Sequence, residues 1–203
     1  MREEPAVPGE LLNHGEPTRP RPASTVLLIR AGARPLEVLL VKRNSAARFM
    51  GSAWVFPGGA VDAHEGEGET AHRLAAVREV EEEAGVSLPD PGALVLTSRW
   101  VTPALYRMRF DTWFFLAELP AGAEVTLDGA ECVDFAWIDP AEALSRHAAG
   151  EMFMVLPTVV HLERLAGAGS PAAALESARG RPVEVVRPRV AGTGDAARVV
   201  LDA

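Results

Sequence analysis

The chain predicts an α/β sandwich built on a mixed β-sheet, and three observations carry that expectation. Val-, Leu- and Ile-rich runs at Ser24 to Arg30 and Leu36 to Arg43 read as strands separated by a turn at 31–35. One long helical pattern follows, from about Ala71 to Ala84. Further strand-like runs come next, then shorter helix patterns. This order suits helices packed against a sheet.

Residues 1–22 are polar and Pro-rich and read as a flexible arm, with no hydrophobic segment of a signal peptide. After the first two strands, 44–52 reads as a loop carrying Arg48 and Gly51. Trp54-Val55-Phe56 leads into Pro57-Gly58-Gly59, and Ala60-Val61 reads as a short strand. His64-Glu65-Gly66-Glu67-Gly68-Glu69 reads as a mobile acidic loop. Thr70 is the expected N-cap of the long helix, and Gly85 its stop. Strands are expected at Ala93 to Val101, Arg109 to Glu118 and Cys132 to Ile138. Helices are expected from Asp139-Pro140 through about Ala148, from Pro157 to Ala166 and from Pro171 to Ala178. Alternating valines between Pro182 and Leu201 suggest a terminal hairpin. The expected organisation is an arm over 1–22, a main domain over 23–168, and an extension over 169–203.

The chain has 203 residues and a formal net charge of −8. That balance disfavours nonspecific binding to nucleic acid or an anionic membrane, but leaves small anionic substrates open. Every basic residue except Lys42 is arginine. Cys132 is the only cysteine, so an internal disulfide or a cysteine zinc cluster is ruled out. No apolar run approaches membrane-spanning length. The expected location is the cytoplasm. The sequence leaves the oligomeric state open, a homodimer included.

The helix carries the chemistry. Taking Glu79 as zero, Glu82 falls at about −60° and Glu83 at about +40° around the axis. Three carboxylates therefore share one face. Leu74, Val77, Val80 and Ala84 form a separate apolar face for the core, and Glu81 falls outside the acidic set. Like charges at this spacing repel. A divalent cation explains three converging carboxylates better than a solvated charged face does, and hard cations such as Mg²⁺ prefer carboxylate oxygen.

Arg78-Glu79-Val80-Glu81-Glu82-Glu83-Ala84-Gly85-Val86, with Gly59 and Glu69 upstream, resembles the Nudix hydrolase signature: Gly, five residues, Glu, seven residues, Arg-Glu-aliphatic-any-Glu-Glu-any-Gly-aliphatic. Arg78 to Val86 matches every specified position. The first half departs from it: nine residues separate Gly59 from Glu69 and eight separate Glu69 from Arg78, so the strict spacing back from Arg78 falls on Thr70. The resemblance implies an α/β/α sandwich with a mixed sheet. It also implies hydrolysis of a nucleoside diphosphate linked to another group, with Mg²⁺ or Mn²⁺ as cofactor and a small-molecule nucleotide as partner. It assigns Glu79, Glu82 and Glu83 as metal ligands and Arg78 as the residue that orients them. By the same analogy a later acid, Glu131 first and Asp134 second, completes the metal site or takes a proton. Glu69 reads equally as a further ligand or as a helix-start residue near the positive dipole end.

Gly58 and Gly59 are expected to let backbone approach the substrate. Arg48 and Arg109, among several arginines including Arg43, Arg99 and Arg107, are candidates to hold phosphates in forked geometry. Trp100 and Tyr106 are better placed than Trp54 and Trp113 to stack on a base. Arg48-Phe49-Met50, Ala53 to Gly59, Trp100-Val101-Thr102-Pro103, Arg109-Phe110-Asp111-Thr112 and Leu156-Pro157-Thr158 look like a Nudix branch that includes a peroxisomal coenzyme A diphosphatase. Coenzyme A or a derivative therefore leads over ADP-ribose, dinucleotides and NADH as the expected substrate. A nucleotide-sensing module that binds without cutting is the alternative of another class. The sequence carries no P-loop, no Gly-x-Ser-x-Gly elbow and no His-Glu-x-x-His pair.

Overall fold

The structure is a computed structural model that describes residues 2–5, 13, 15–47, 50–127, 129–192 and 198–201. Eleven strands and four α-helices lie among them. β2 (Arg21–Arg30) is the central strand. One edge of β2 pairs in parallel with β7 (Phe110–Glu118) from Arg21 to Ile29. Two partners share its other edge. β3 (Glu37–Arg43) pairs with its C-terminal end, and β5 (Gly58–Ala60) with Ala23, Ser24 and Thr25. β4 (Trp54–Val55) and β8 (Cys132–Ile138) pair with β3, and β6 (Val95–Val101) with β7. β9 (Glu184–Val186) adds to β6 in parallel. The sheet is mixed, as its sequence order predicted.

Both faces of this sheet are covered, which is why β2 and β3 are near-continuous apolar runs. Val26 and Leu28 pack with Phe115 and with Ala76, Val80 and Ala84 of α1 (Gly68–Ala84). Leu27 and Ile29 face the opposite way. They join a core with residues of α2 (Pro140–Ala148), α3 (Leu156–Leu165) and α4 (Pro171–Arg179). The result is an α/β/α sandwich. Asp139 caps α2 by accepting from the backbone N–H groups of Ala141 and Glu142, with Pro140 following it. Ser170 caps α4 through the N–H of Ala173.

Four expectations change. The long helix starts at Gly68, with Glu67 rather than Thr70 at its N-cap. Gly66 and Gly68 both adopt positive φ, so the chain turns into the helix ahead of Thr70. Glu69 sits in the first turn and pairs with Arg73 at 2.7 Å. Leu74 is 42% exposed instead of buried; Ala71, His72, Ala75 and Ala76 fill the face toward the sheet. The expected arm contains β1 (Arg2–Pro5), which pairs with β11 (Arg198–Leu201). β11 also pairs with β10 (Arg189–Ala191), giving the expected terminal hairpin and a small three-stranded sheet. The 169–203 extension is not separate from the main sheet, because it supplies β9.

Candidate active site

A cleft of about 640 Å³ opens beside β5 and the C-terminal half of α1. The split edge of β2 creates the setting: β5 holds Gly58 and Gly59 next to Ser24 and Thr25, above the acidic turn of the helix. Close approach to backbone demands glycine at 58, and close approach to a carboxylate favours it at 59. A Cβ on Gly58 would lie 2.3 Å from the carbonyl oxygen of Ser24. A Cβ on Gly59 would lie 2.4 Å from the carboxylate carbon of Glu79. The Glu79 carboxylate therefore rests against bare backbone.

Arg78 organises the acids. Its Nη1 donates to Glu79 Oε1 and Glu82 Oε2, both at 2.8 Å. Its Nη2 donates to the carbonyl of Ala60 at 2.8 Å, and its Nε to Glu65 Oε1 at 3.0 Å. This guanidinium ties the helix to β5 and to the acidic loop. Glu82 is exposed toward the cleft, whereas Glu83 is buried. The backbone N–H of Gly58 donates to Glu83 Oε2 at 3.0 Å, and Arg43 Nη1 lies 3.9 Å from Oε1.

Burial dominates the electrostatics. It pushes the Glu83 carboxyl up to about 7, opposed by the Gly58 N–H and Arg43 and reinforced by Glu79 and Glu131. Burial also raises Glu79, against the Arg78 hydrogen bond and charge, with Glu82 and Glu131 adding repulsion. Glu131 thus acts on both acids from β8's approach, and it lines the cleft. Asp134 is exposed on β8 opposite Lys42, and its Oδ1 accepts from the N–H of Phe135.

By chemistry, if not by present placement, these carboxylate donors suit a divalent cation. Glu83 Oε1 is a buried carboxylate oxygen with no hydrogen-bond partner, and a cation would offset the burial and repulsion that raise Glu79 and Glu83. As the side chains stand, no three acid, histidine or cysteine groups among the described residues are clustered closely enough to hold a metal ion. Arg78 lies between Glu79 and Glu82, and Glu83 turns to Gly58.

The remaining sequence candidates divide. Gly58, Gly59, Arg78, Glu79, Glu82, Trp100, Tyr106 and Glu131 line the cleft. Trp100 is only 4% exposed, with its ring near Phe114 and His161. Arg109 is diverted: its Nε donates to the carbonyl of Thr102 and its Nη1 to that of Thr18. Arg99 forms a two-pronged ion pair with Asp111. Arg48 lies outside the described residues. Arg43 lines the cleft, and so does Arg21, which sequence reasoning missed. Glu65, expected on a mobile acidic loop, is instead held in place. Its side chain is 5% exposed and paired to Arg78. Counting five residues forward from Gly59, rather than backward from Arg78, lands on Glu65. The extra length therefore lies between Glu65 and Arg78.

A family model for the NUDIX domain matches residues 19–157. The chain belongs to the Nudix hydrolase family. It is 31% identical over 179 residues to the putative nudix hydrolase 7 of Caenorhabditis elegans, covering 71% of this chain and 60% of that protein. It is 24% identical over 225 residues to the acyl-coenzyme A diphosphatase NUDT19 of Xenopus laevis, covering 64% of this chain and 59% of the relative. The chain thus spans about three-fifths of the length of these curated Nudix relatives. A crystal structure of a Nudix hydrolase from Alicyclobacillus acidocaldarius superposes with a TM-score of 0.74 at 28% identity, covering 81% of this chain and 99% of that one. Among the described residues no helix is long and apolar enough to cross a membrane.

Proposed function

We propose that this Nudix chain hydrolyses a nucleoside diphosphate linked to another moiety, with coenzyme A or a derivative as the leading substrate. The observation that carries this reading is one cleft at which Glu79 and Glu82, tied together by Arg78, meet the Gly58–Gly59 backbone, with buried Glu83 bonded to the N–H of Gly58 beside it. Glu79, Glu82 and Glu83 would hold Mg²⁺ or Mn²⁺. Such an ion supplies charge neutralisation on phosphoryl oxygens and an activated water.

The chain's own residues do the rest. Arg78 fixes Glu79 and Glu82, so their carboxylates need little reorganisation. Arg21 and Arg43 at the cleft offer positive charge to the phosphates. Water adds its oxygen to phosphorus, the phosphorus–oxygen bond of the anhydride breaks, and a carboxylate takes the released proton. Glu131, at the cleft and exposed, is the proposed proton acceptor. Coenzyme A leads over ADP-ribose, dinucleotides and NADH because of the likeness to an acyl-coenzyme A diphosphatase and the apolar side chains among those that line the cleft.

The test is product analysis by mass spectrometry across coenzyme A, ADP-ribose, a dinucleoside polyphosphate and NADH, each with and without Mg²⁺. Cleavage at a diphosphate bond, dependent on the cation and fastest with coenzyme A or a derivative, is expected. Binding without any product under Mg²⁺ or Mn²⁺ would overturn the reading in favour of a non-catalytic nucleotide module.

A further inference from the structure

The residues that line the cleft separate by chemistry and by place. Arg78, Glu79, Glu82 and the glycine backbone lie at β5, whose Ala60 pairs with Ala23. Ala23 pairs with Thr112 and Thr112 with Trp100, so Trp100 stands three strands away from β5, at the other end. Tyr106, Met108, Leu156, Pro188 and Val199 also line the cleft, and Tyr106, Leu156 and Val199 share one core cluster with Trp100. Pro188 and Val199 come from the C-terminal segment, beyond the residues matched by the family model. Val199 lies in the middle of β11, in register with Val190 of β10 and Glu4 of β1. It is 4% exposed and belongs to the same core cluster as Trp100, Tyr106 and Leu156, against which Val190 and Leu201 also pack. A segment closing on itself as a hairpin would need no such contact. This hairpin instead turns one apolar face to the cleft wall, and β1 braces it from the far edge.

We infer that the β10–β11 hairpin is the specificity wall of the cleft: Pro188 and Val199 close an apolar subsite that receives a non-polar chain carried by the diphosphate substrate. This rests on the diphosphatase reading and adds to it what the C-terminal segment does. A cleft of about 640 Å³ is of the size that encloses a whole small-molecule ligand. The side chains of Trp100, Met108, Leu156, Pro188 and Val199 present mainly apolar surface, so a non-polar group is the occupant that matches them. Trp100 Nε1 is buried without a hydrogen-bond partner, a cost that an acceptor on the entering chain, such as a thioester carbonyl, relieves. Each methylene taken from water favours binding roughly fourfold, until the chain meets the wall.

The experiment compares coenzyme A with its butanoyl, octanoyl and hexadecanoyl thioesters, on the full chain and on Val199→Trp and Val199→Ala. The readout is the ratio of kcat/KM for each thioester to that for coenzyme A, which cancels any general loss of activity. The wild-type ratio should rise with chain length up to a preferred length, where the chain meets the wall, and gain nothing beyond it. Val199→Trp should cut the octanoyl ratio by at least about tenfold, the worth of roughly two methylenes. Val199→Ala should move the preferred length upward, and it keeps the test open if the tryptophan variant does not fold. Ratios within about twofold of wild type in a folded variant would overturn the inference. Calorimetric affinities for the same ligands, taken without added cation, read the subsite separately from turnover. Absence of hydrolysis with a retained, Val199-dependent chain preference would sink the diphosphatase reading and keep the subsite. Hydrolysis without that dependence would do the reverse.

Discussion

Glu83 is held by opposing forces. Its backbone donor from Gly58 and the nearby Arg43 favour the anion, while burial and the neighbouring Glu79 and Glu131 favour the proton, and burial is the largest of these. Its pKa rises from an ordinary 4.5 to about 7. Between these values the folded chain binds more protons than the unfolded chain, so without added cation this group's contribution to stability falls as pH rises from 4.5 to 7 and is level above. Glu83→Gln should remove that fall. Denaturant melts in chelator should show it more stable than wild type at pH 8, by up to about 3 kcal/mol, with the gap closing near pH 4. Glu82 is different, being 58% exposed in its side chain. Glu82→Gln should leave the melting temperature near wild type and lower turnover of coenzyme A by roughly 10²-fold, the scale of losing one strong electrostatic stabiliser. Unchanged steady-state turnover would remove Glu82 from the site. The residues on the helix were legible in sequence because their spacing is local. Glu65 was hidden because its partner, Arg78, lies across a loop whose path spacing alone does not give. The ties of Arg109 to the carbonyls of Thr102 and Thr18 are not legible in the sequence, because those partners are distant in the chain or set by a turn.

At the level of elements, α1 works as a lever that brings acids to glycines. Its end is fixed by Gly85, which adopts φ 66° and donates its N–H to Glu81 O. A Cβ at Gly85 would also lie 2.9 Å from the carbonyl oxygen of Thr126. Gly85→Ala should cost about 1 kcal/mol or more from the left-handed backbone alone, and the contact with Thr126 adds to it. Chemical denaturation checks this; an unchanged midpoint would contradict the cap. The C-terminal stop was readable from one glycine. The start was not, because Thr70 is a good capping residue overridden by a turn at Gly66 and Gly68. Strands β2 and β3 were legible from dense apolar runs that both helical layers demand, and β7 and β8 from shorter apolar and aromatic runs. Leu74 escaped burial because the helix turns its alanine and His72 face to the sheet, with His72 stacked on Trp113 at 4.4 Å between ring centres.

Across the whole molecule, the pairings that complete the structure join distant parts of the chain. β9 adds to β6 in parallel, and β1 braces the terminal hairpin. Composition shows that such segments favour strands, but it does not name their partners, so the tail's place at the cleft emerges only from the fold. The family match covers the part that carries the acids and glycines. The central claim is that Glu79, Glu82 and Glu83 together hold a divalent cation at this cleft. Calorimetric titration with Mn²⁺ of the wild type and of a variant with Glu79, Glu82 and Glu83 all changed to Gln tests it most directly. Saturable binding in the wild type that disappears in a folded triple variant is the predicted result; equal stoichiometry and affinity in both would contradict it.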